Sequence, residues 1–465
     1  MPEPSDLASS GNAAIVAPAG HGKTELIGKV AALGRRSLIL THTHAGVHAI
    51  RSRLKRLGIE HSAVAVDTIA GWSTRYSHSF PGTAQPPPDP PENAQHWDQL
   101  YRGASLTLDV SAVREIVEAS YDRVLIDEYQ DCGRLQHDLA KAMSSIVPTV
   151  IFGDPMQGIF EFAGATLRWE DEIHPHFPYS GTLPVPHRWK DSNPALGEWI
   201  AETREKLIRG ERIDLMDPRI AFRESDDAFD MGTLFEGIDG KDGTFAAIHC
   251  NKGLCYKLAK AAGGGYQAIE EIAANRLRQF ARHWDLATGS QSRLHALSSL
   301  LNECFLMRSP AEGEGVAPEE AAINEALQSI AAGVAVGSEI EAAQQMLALS
   351  RKHPRWKLYR NELWRDADRA ATEVAVGRAA TMTDAVANIR TRVSVAGRRL
   401  PKRTVSTPLL LKGLEFDHVV VPDAVHFGRE SQAQAKLFYV AISRATRSLT
   451  ISAPDRYLQF PAPSF

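Results

Sequence analysis

The 465-residue chain is 43% hydrophobic and 23% charged, with a formal net charge of −4. That is an ordinary balance for a soluble globular chain of two or three domains, and it excludes a global basic field of the kind that advertises nucleic acid. A local basic groove remains compatible with it.

Ala13–Val16 is a short apolar run ending at a glycine-rich turn, and Lys23–Leu33 has helical spacing, so the chain opens strand, loop, helix. Ser37–Leu40 predicts a second strand and Gly46–Leu57 a second helix. The stretch "PGTAQPPPDPP", Pro81 to Pro91, predicts no regular element. Arg123–Ile126 and Pro148–Phe152 are strands of the buried type. Strands alternating with helices imply an α/β fold, a parallel sheet with crossover helices. From about Leu254 to Ala396 the pattern becomes amphipathic helix and is almost free of strand signals. Pro408–Leu411, Val419–Val421 and Ser448–Ser452 then return to short apolar strands. The expectation is a second α/β lobe split by an all-helical insertion.

In "APAGHGKT" the turn glycines Gly20 and Gly22 let backbone N–H groups face phosphate oxygens, and the following helix adds its positive end. His21, between the two glycines, and Glu25, just after Thr24, are further nucleotide-binding candidates. Lys23 would pair with the terminal phosphates and Thr24 would ligate Mg²⁺. Ala17 stands where the strict pattern has glycine. In "RVLIDEYQD" an apolar run delivers Asp127 and Glu128 to the carboxyl end of a strand, where ligands bind in open α/β sheets. Asp127 suits the metal, and Glu128 suits the base that polarises a water. "VIFGDPMQGIFEFAGA" brings Asp154 and Gln157 to the same edge, where Gln157 could report the nucleotide state. Arg188 in "VPHRWKDS" and Arg444 in "FYVAISRATRSL" would meet charge developing on the phosphates.

The ordered series GHGKT, LTHTHAG, DTIAGW, LIDEYQD, GDPMQGIF, PHRWKDS, TPLLLKGLEF and FYVAISRATR resembles the UvrD/Rep family of superfamily 1 DNA helicases. The resemblance implies two RecA-like P-loop lobes with ATP between them and single-stranded DNA as partner. It implies boundaries of 1–185 for the first lobe, with a short insertion at about 73–115. The second lobe would be 186–252 with 396–465, and 253–395 the helical insertion. Lys23, Thr24, Asp127, Glu128, Gln157, Arg188 and Arg444 then match the family's ATPase residues. His187 and Glu415 match positions that contact adenine and ribose, with Gly413 beside them. His42, Thr43, Thr68, Trp72, Phe162 and Thr407 fall in the DNA-contacting motifs. Arg398 and Arg399 in "GRRLPKR" precede the Lys412 motif as further phosphate contacts.

Departures are concentrated on the DNA side. No glutamine occurs in residues 1–13 to read adenine. His42, Ile69–Ala70, Leu409 and Ala163 replace family residues that stack on or grip the strand. The small inserts resemble compact UvrD-like proteins that partner a nuclease, such as the helicase-like subunit of Gabija-type phage defence. Two functions are therefore expected: a DNA translocase or helicase, or an ATP-hydrolysing switch that regulates a nuclease partner in antiviral defence.

Four cysteines without a CxxC pair argue against disulfide, zinc-ribbon or iron–sulfur chemistry. Without a signal region or a bilayer-length apolar run, a cytoplasmic chain with no membrane partner is expected.

Overall fold

The computed structural model describes residues 2–60, 62–89, 91, 93–159, 167–225, 227, 240–262, 265–268, 272–307, 315–334, 337–396, 401–430 and 433–465. Two compact units form, one of Met1–Ala221, Val425–Leu449 and Asp455–Phe465, the other of Phe222–Ala424 and Thr450–Pro454. Residues 186–221 fall within the first of these units.

The first sheet contains β1 (Ala13–Val16), β2 (Ser37–Thr41), β3 (Val64–Thr68), β4 (Arg123–Ile126), β5 (Thr149–Gly153) and β6 (Tyr179–Thr182). Its order is β3-β2-β4-β5-β1-β6, and every pairing is parallel. The apolar strand runs make sense once both faces are covered. Leu38, Leu40, Val124 and Ile126 enter one core, while Ile39 and Leu125 enter the other. The second helix spans His44–Arg56 and starts ahead of expectation because the Thr43 hydroxyl accepts from Gly46 N–H at 3.0 Å.

Between β3 and β4 the chain is helical, in Ile69–Ser79, Pro81–Ala84, Ala94–Thr107 and Ser111–Ser120. The proline-rich stretch thus does hold one regular element, a single turn whose first residue is Pro81. Proline's fixed φ and missing N–H are tolerated at that position. A two-stranded antiparallel pair, β7 (Ile213–Asp214) with β16 (Tyr457–Leu458), completes the unit.

The second sheet contains β8 (Ala221–Glu224), β9 (Phe245–Ile248), β10 (Gln267–Ala268), β13 (Arg403–Ser406), β14 (Phe416–Val421) and β15 (Ala445–Ala453), of which Ala221 and Ala445–Leu449 are counted in the first unit and the rest in the second. Their order is β10-β13-β9-β14-β15-β8, with β10, β13, β9 and β14 mutually parallel. Pro408–Leu411, expected as a strand, is a helical turn just after β13. A short apolar run cannot by itself distinguish strand from helix, and Pro408 again suits a helix start.

The helical block builds its own core, in which Leu297, Leu301, Trp364 and Ala367 are buried. It is not wholly helical. Strands β11 (Phe305–Met307) and β12 (Trp356–Leu358) pair antiparallel, and Phe305 packs against Trp356 across them. Among the described residues no helix is long and apolar enough to cross a membrane.

Candidate active site

Parallel strands all end on one edge, so the sheet delivers its loops to one place. From β1 comes the phosphate-type loop, from β2 His42 and Thr43, from β3 Thr68, from β4 Asp127 and Glu128, and from β5 Asp154 and Gln157. Because β5 lies between β1 and β4, Asp154 and Gln157 emerge between the loop and the carboxylate pair.

Both turn glycines use the left-handed region, Gly20 at φ +75 and Gly22 at φ +86. Ala17 does not, being absent from the positive-φ residues, so its departure from glycine meets no backbone penalty there. A Cβ on Gly20 would lie 2.8 Å from both Arg188 Cβ and the Trp189 ring, and one on Gly22 would lie 3.1 Å from the His187 ring. The turn His187–Trp189 therefore covers the loop closely, and Arg188 N–H donates to Gly20 C=O at 2.9 Å. His21 is buried, its Nδ1 bonded to Ala19 C=O at 2.9 Å; burial lowers its pKa.

Lys23, the first residue of the helix Lys23–Ala32, places Nζ 2.8 Å from Asp127 Oδ1 and in contact with Glu128 Oε1. Burial works against the ammonium, but the two carboxylates more than offset it and hold Lys23 above its ordinary pKa. Burial also pushes the Asp127 carboxyl up, and Lys23 opposes that. Thr24 follows on the same first turn, half-buried. Glu25 has its carboxylate engaged by Lys29 at 2.9 Å and by Arg53. The Lys29 bond is the main cause of its lowered pKa.

Glu128 itself adopts a left-handed backbone, φ 58 and ψ 39, rare for a non-glycine residue and typical of functional turns. Gln157 is buried and donates from Nε2 to Asp154 Oδ2 at 3.1 Å. Asp154 is 1% exposed, and its other oxygen accepts from Arg204 at 2.8 Å. Arg204 also lies over the Tyr439 ring, 5.9 Å from its centroid, and the Tyr439 hydroxyl accepts from Ala19 N–H at 3.0 Å. Burial works against the Arg204 guanidinium, but Asp154 more than offsets it and holds its pKa above the ordinary value. A buried polar network thus runs from Gln157 back to the phosphate-type loop.

The two candidate arginines come together. Arg188 Nη1 donates to Ser443 C=O at 2.7 Å, next to Arg444. Arg444 is 1% exposed, and its guanidinium holds Val440 C=O at 2.9 Å and Ser443 Oγ at 2.8 Å.

The DNA-contacting candidates fare differently. Thr43 is exposed at the carboxyl edge, and half-buried His42 touches Cys132 Sγ at 3.4 Å. Thr68 is buried and caps the helix Ile69–Ser79, accepting from Gly71 N–H at 2.8 Å. Trp72 is 0% exposed and stacks on Tyr76, so its ring is core and cannot serve as an open base platform. Phe162, Arg398 and Arg399 lie outside the described residues. In the second unit half-buried Thr407 precedes the turn Pro408–Leu411, Gly413 has φ +80, and Glu415 is exposed.

Sequence reasoning passed over Gln130, Arg204 and Tyr439. Arg204 left a trace: it falls on the buried stripe Leu196, Ile200, Thr203 and Leu207 of the helix Pro194–Arg209, where an unpartnered charge would be costly.

Residues 90–178 match the family model of the UvrD/REP helicase N-terminal domain, and residues 405–452 that of the UvrD-like helicase C-terminal domain. No curated protein matches the sequence. The chain is similar to a solved Arterivirus nonstructural protein 10, a helicase in complex with DNA, at 15% identity and a TM-score of 0.26. That match covers 53% of this chain and 49% of the other, so the chain spans about half the viral helicase's length, and the likeness is too slight to carry an argument. The two family segments occur in chain order, one spanning Asp127, Glu128 and Gln157 and the other Arg444. On those two segments the chain is similar to UvrD-like helicases.

Proposed function

We propose that this chain is an ATP-dependent translocase or helicase on single-stranded DNA, hydrolysing ATP at the centre formed by Lys23, Asp127 and Glu128. The observation that carries the reading is the meeting of the loop lysine with both strand-end carboxylates. Lys23 and the loop Gly20–Gly22 would hold the phosphates, with the first turn of the helix supplying N–H groups. Thr24 and Asp127 offer hard oxygen donors suited to Mg²⁺, which when bound neutralises phosphate charge. Glu128 would accept a proton from the attacking water, Gln157 would sense the terminal phosphate, and Arg188 and Arg444 would balance charge on the leaving group. Glu25, His187, Gly413 and Glu415 would contact the rest of the nucleotide. His42, Thr43, Thr68 and Thr407 remain the proposed DNA contacts, within the lobe boundaries expected from the sequence. Four free cysteines support a reducing, cytoplasmic setting.

A second reading is favoured by Trp72, whose burial removes one of the aromatic platforms a strand would need. In it the chain hydrolyses ATP as a switch for a nuclease partner in phage defence and does not unwind DNA. Steady-state ATP hydrolysis with and without single-stranded DNA separates the two. Strong stimulation supports the translocase; turnover indifferent to DNA supports the switch. Absence of any ATP turnover would overturn both.

A further inference from the structure

Glu128 is held on three sides, and one of its holders has no role in the mechanism above. Its backbone is fixed because the next residue, Tyr129, is 0% exposed and its hydroxyl bonds His137 Nδ1 at 2.7 Å. Its Oε1 faces Lys23. Its Oε2 accepts a hydrogen bond from Gln130 Nε2. The same Gln130 amide turns its Oε1 to Asp154 N–H at 3.0 Å. The two partners fix which way the amide points, because a carboxylate accepts and a backbone N–H donates. The space is built for it: a Cβ on Gly153 would lie 2.8 Å from Gln130 Oε1 and 3.1 Å from Gln130 N. Gln130 is 9% exposed, so water competes poorly for either bond.

From this bridge we infer that Gln130 is a positioning residue for hydrolysis, aiming the Glu128 carboxylate and tying it to the Asp154 end of β5. The inference rests on the reading of Glu128 as the base. Asp154 in turn holds Gln157 and Arg204, so the amide couples the base to the residues proposed to sense the nucleotide. Two substitutions separate its halves. Gln130→Met keeps length and removes both bonds. Gln130→Glu keeps an acceptor for Asp154 N–H but offers Glu128 a like charge where it had a donor.

The test is steady-state ATP hydrolysis by the full chain with Mg²⁺, with urea unfolding to confirm that each variant folds. Expected for both variants is a kcat lower by roughly 10- to 100-fold with KM changed less than about 3-fold, the loss typical of a misaimed catalytic group. In a Glu128→Gln background the residual turnover should not fall further when Gln130→Met is added, because the residue acts through Glu128. If Gln130→Glu restores wild-type kcat, Gln130 is only a prop for Asp154 and the inference fails. Losses that multiply in the double variant, or a change confined to KM, also overturn it. Wild-type turnover in Glu128→Gln alone is a different failure: it removes the base assignment, and the present inference goes with it.

Discussion

Lys23 is the residue on which the proposed nucleotide chemistry and stability meet. Its ammonium is nearly enclosed and faces two carboxylates, so removing it leaves Asp127 buried beside a like charge. Lys23→Ala should lower ATP turnover by at least about 100-fold. It should also cost on the order of 3 kcal/mol of stability, the range for breaking a buried pair. Turnover assays and urea unfolding check the two effects separately, and near-normal turnover would remove Lys23 from the mechanism. Trp72 gives the opposite prediction. Because its ring is core and not surface, Trp72→Ala should cost roughly 3–5 kcal/mol, while DNA affinity measured well below the melting temperature should hold within about 2-fold. A large affinity loss in the folded variant would return Trp72 to the DNA track. These two residues mark what the sequence made legible. Lys23 stands in a motif whose backbone geometry is local, so its place could be read from spacing. The exposure of Trp72 depends on how helices separated in sequence pack around it, and spacing says nothing of that. Gln130 was hidden for the same reason, since its partners come from two different strands.

The element that organises the loop's surroundings is the turn His187–Trp189 with the residues following it. Trp189 Nε1 donates to Ala445 C=O at 2.6 Å, Ser192 Oγ to Thr446 C=O at 2.8 Å, and Asn193 Nδ2 to Arg447 C=O at 2.9 Å. Side chains from one turn thus bind successive carbonyls at the start of β15, which sets Arg444 beside Arg188. Trp189 is 0% exposed, so Trp189→Phe should cost about 1–3 kcal/mol by leaving a buried carbonyl unpaired. Urea unfolding would show it, and an unchanged midpoint would mean the clamp contributes little. Another device lies in the helix Arg134–Ser144. His137 is pushed down to about 4 by burial, with Lys141, His176 and Arg134 adding to the shift and Asp138 opposing it. Its folded pKa is below its unfolded value, so the unfolded chain takes up the proton first. Stability from this group is therefore whole above about pH 6.5 and falls as pH drops toward 4, by about 3 kcal/mol in all. His137→Phe should flatten the difference across that window, read by unfolding at several pH values; a slope identical to wild type would assign it to other groups. Nothing in the sequence marked His137, because a histidine on a helix gains a buried partner only when a tyrosine from another element reaches it.

At the scale of the whole molecule, a net charge of −4 means that any affinity for DNA must come from local concentration of cations. Such a concentration exists. Between Asp384 and Glu415 there is no acidic residue, while Arg390, Arg392, Arg398, Arg399, Lys402, Arg403 and Lys412 all occur there. The segment leads into β13 and the turn after it, the stretch where the C-terminal helicase match begins. If single-stranded DNA is the track, phosphate contacts here should release counterions, and each contact should contribute about 0.7 to the slope of log affinity against log salt. Arg398→Ala with Arg399→Ala should then reduce that slope by roughly 1.4 and weaken binding similarly for all sequences. Binding of a fluorescent single strand, titrated at several salt concentrations, measures the slope directly. An unchanged slope with intact ATP turnover would mean that this basic segment is solvated surface. It would also tilt the balance toward a chain that hydrolyses ATP to control a protein partner, since this cationic run would then be doing nothing for DNA.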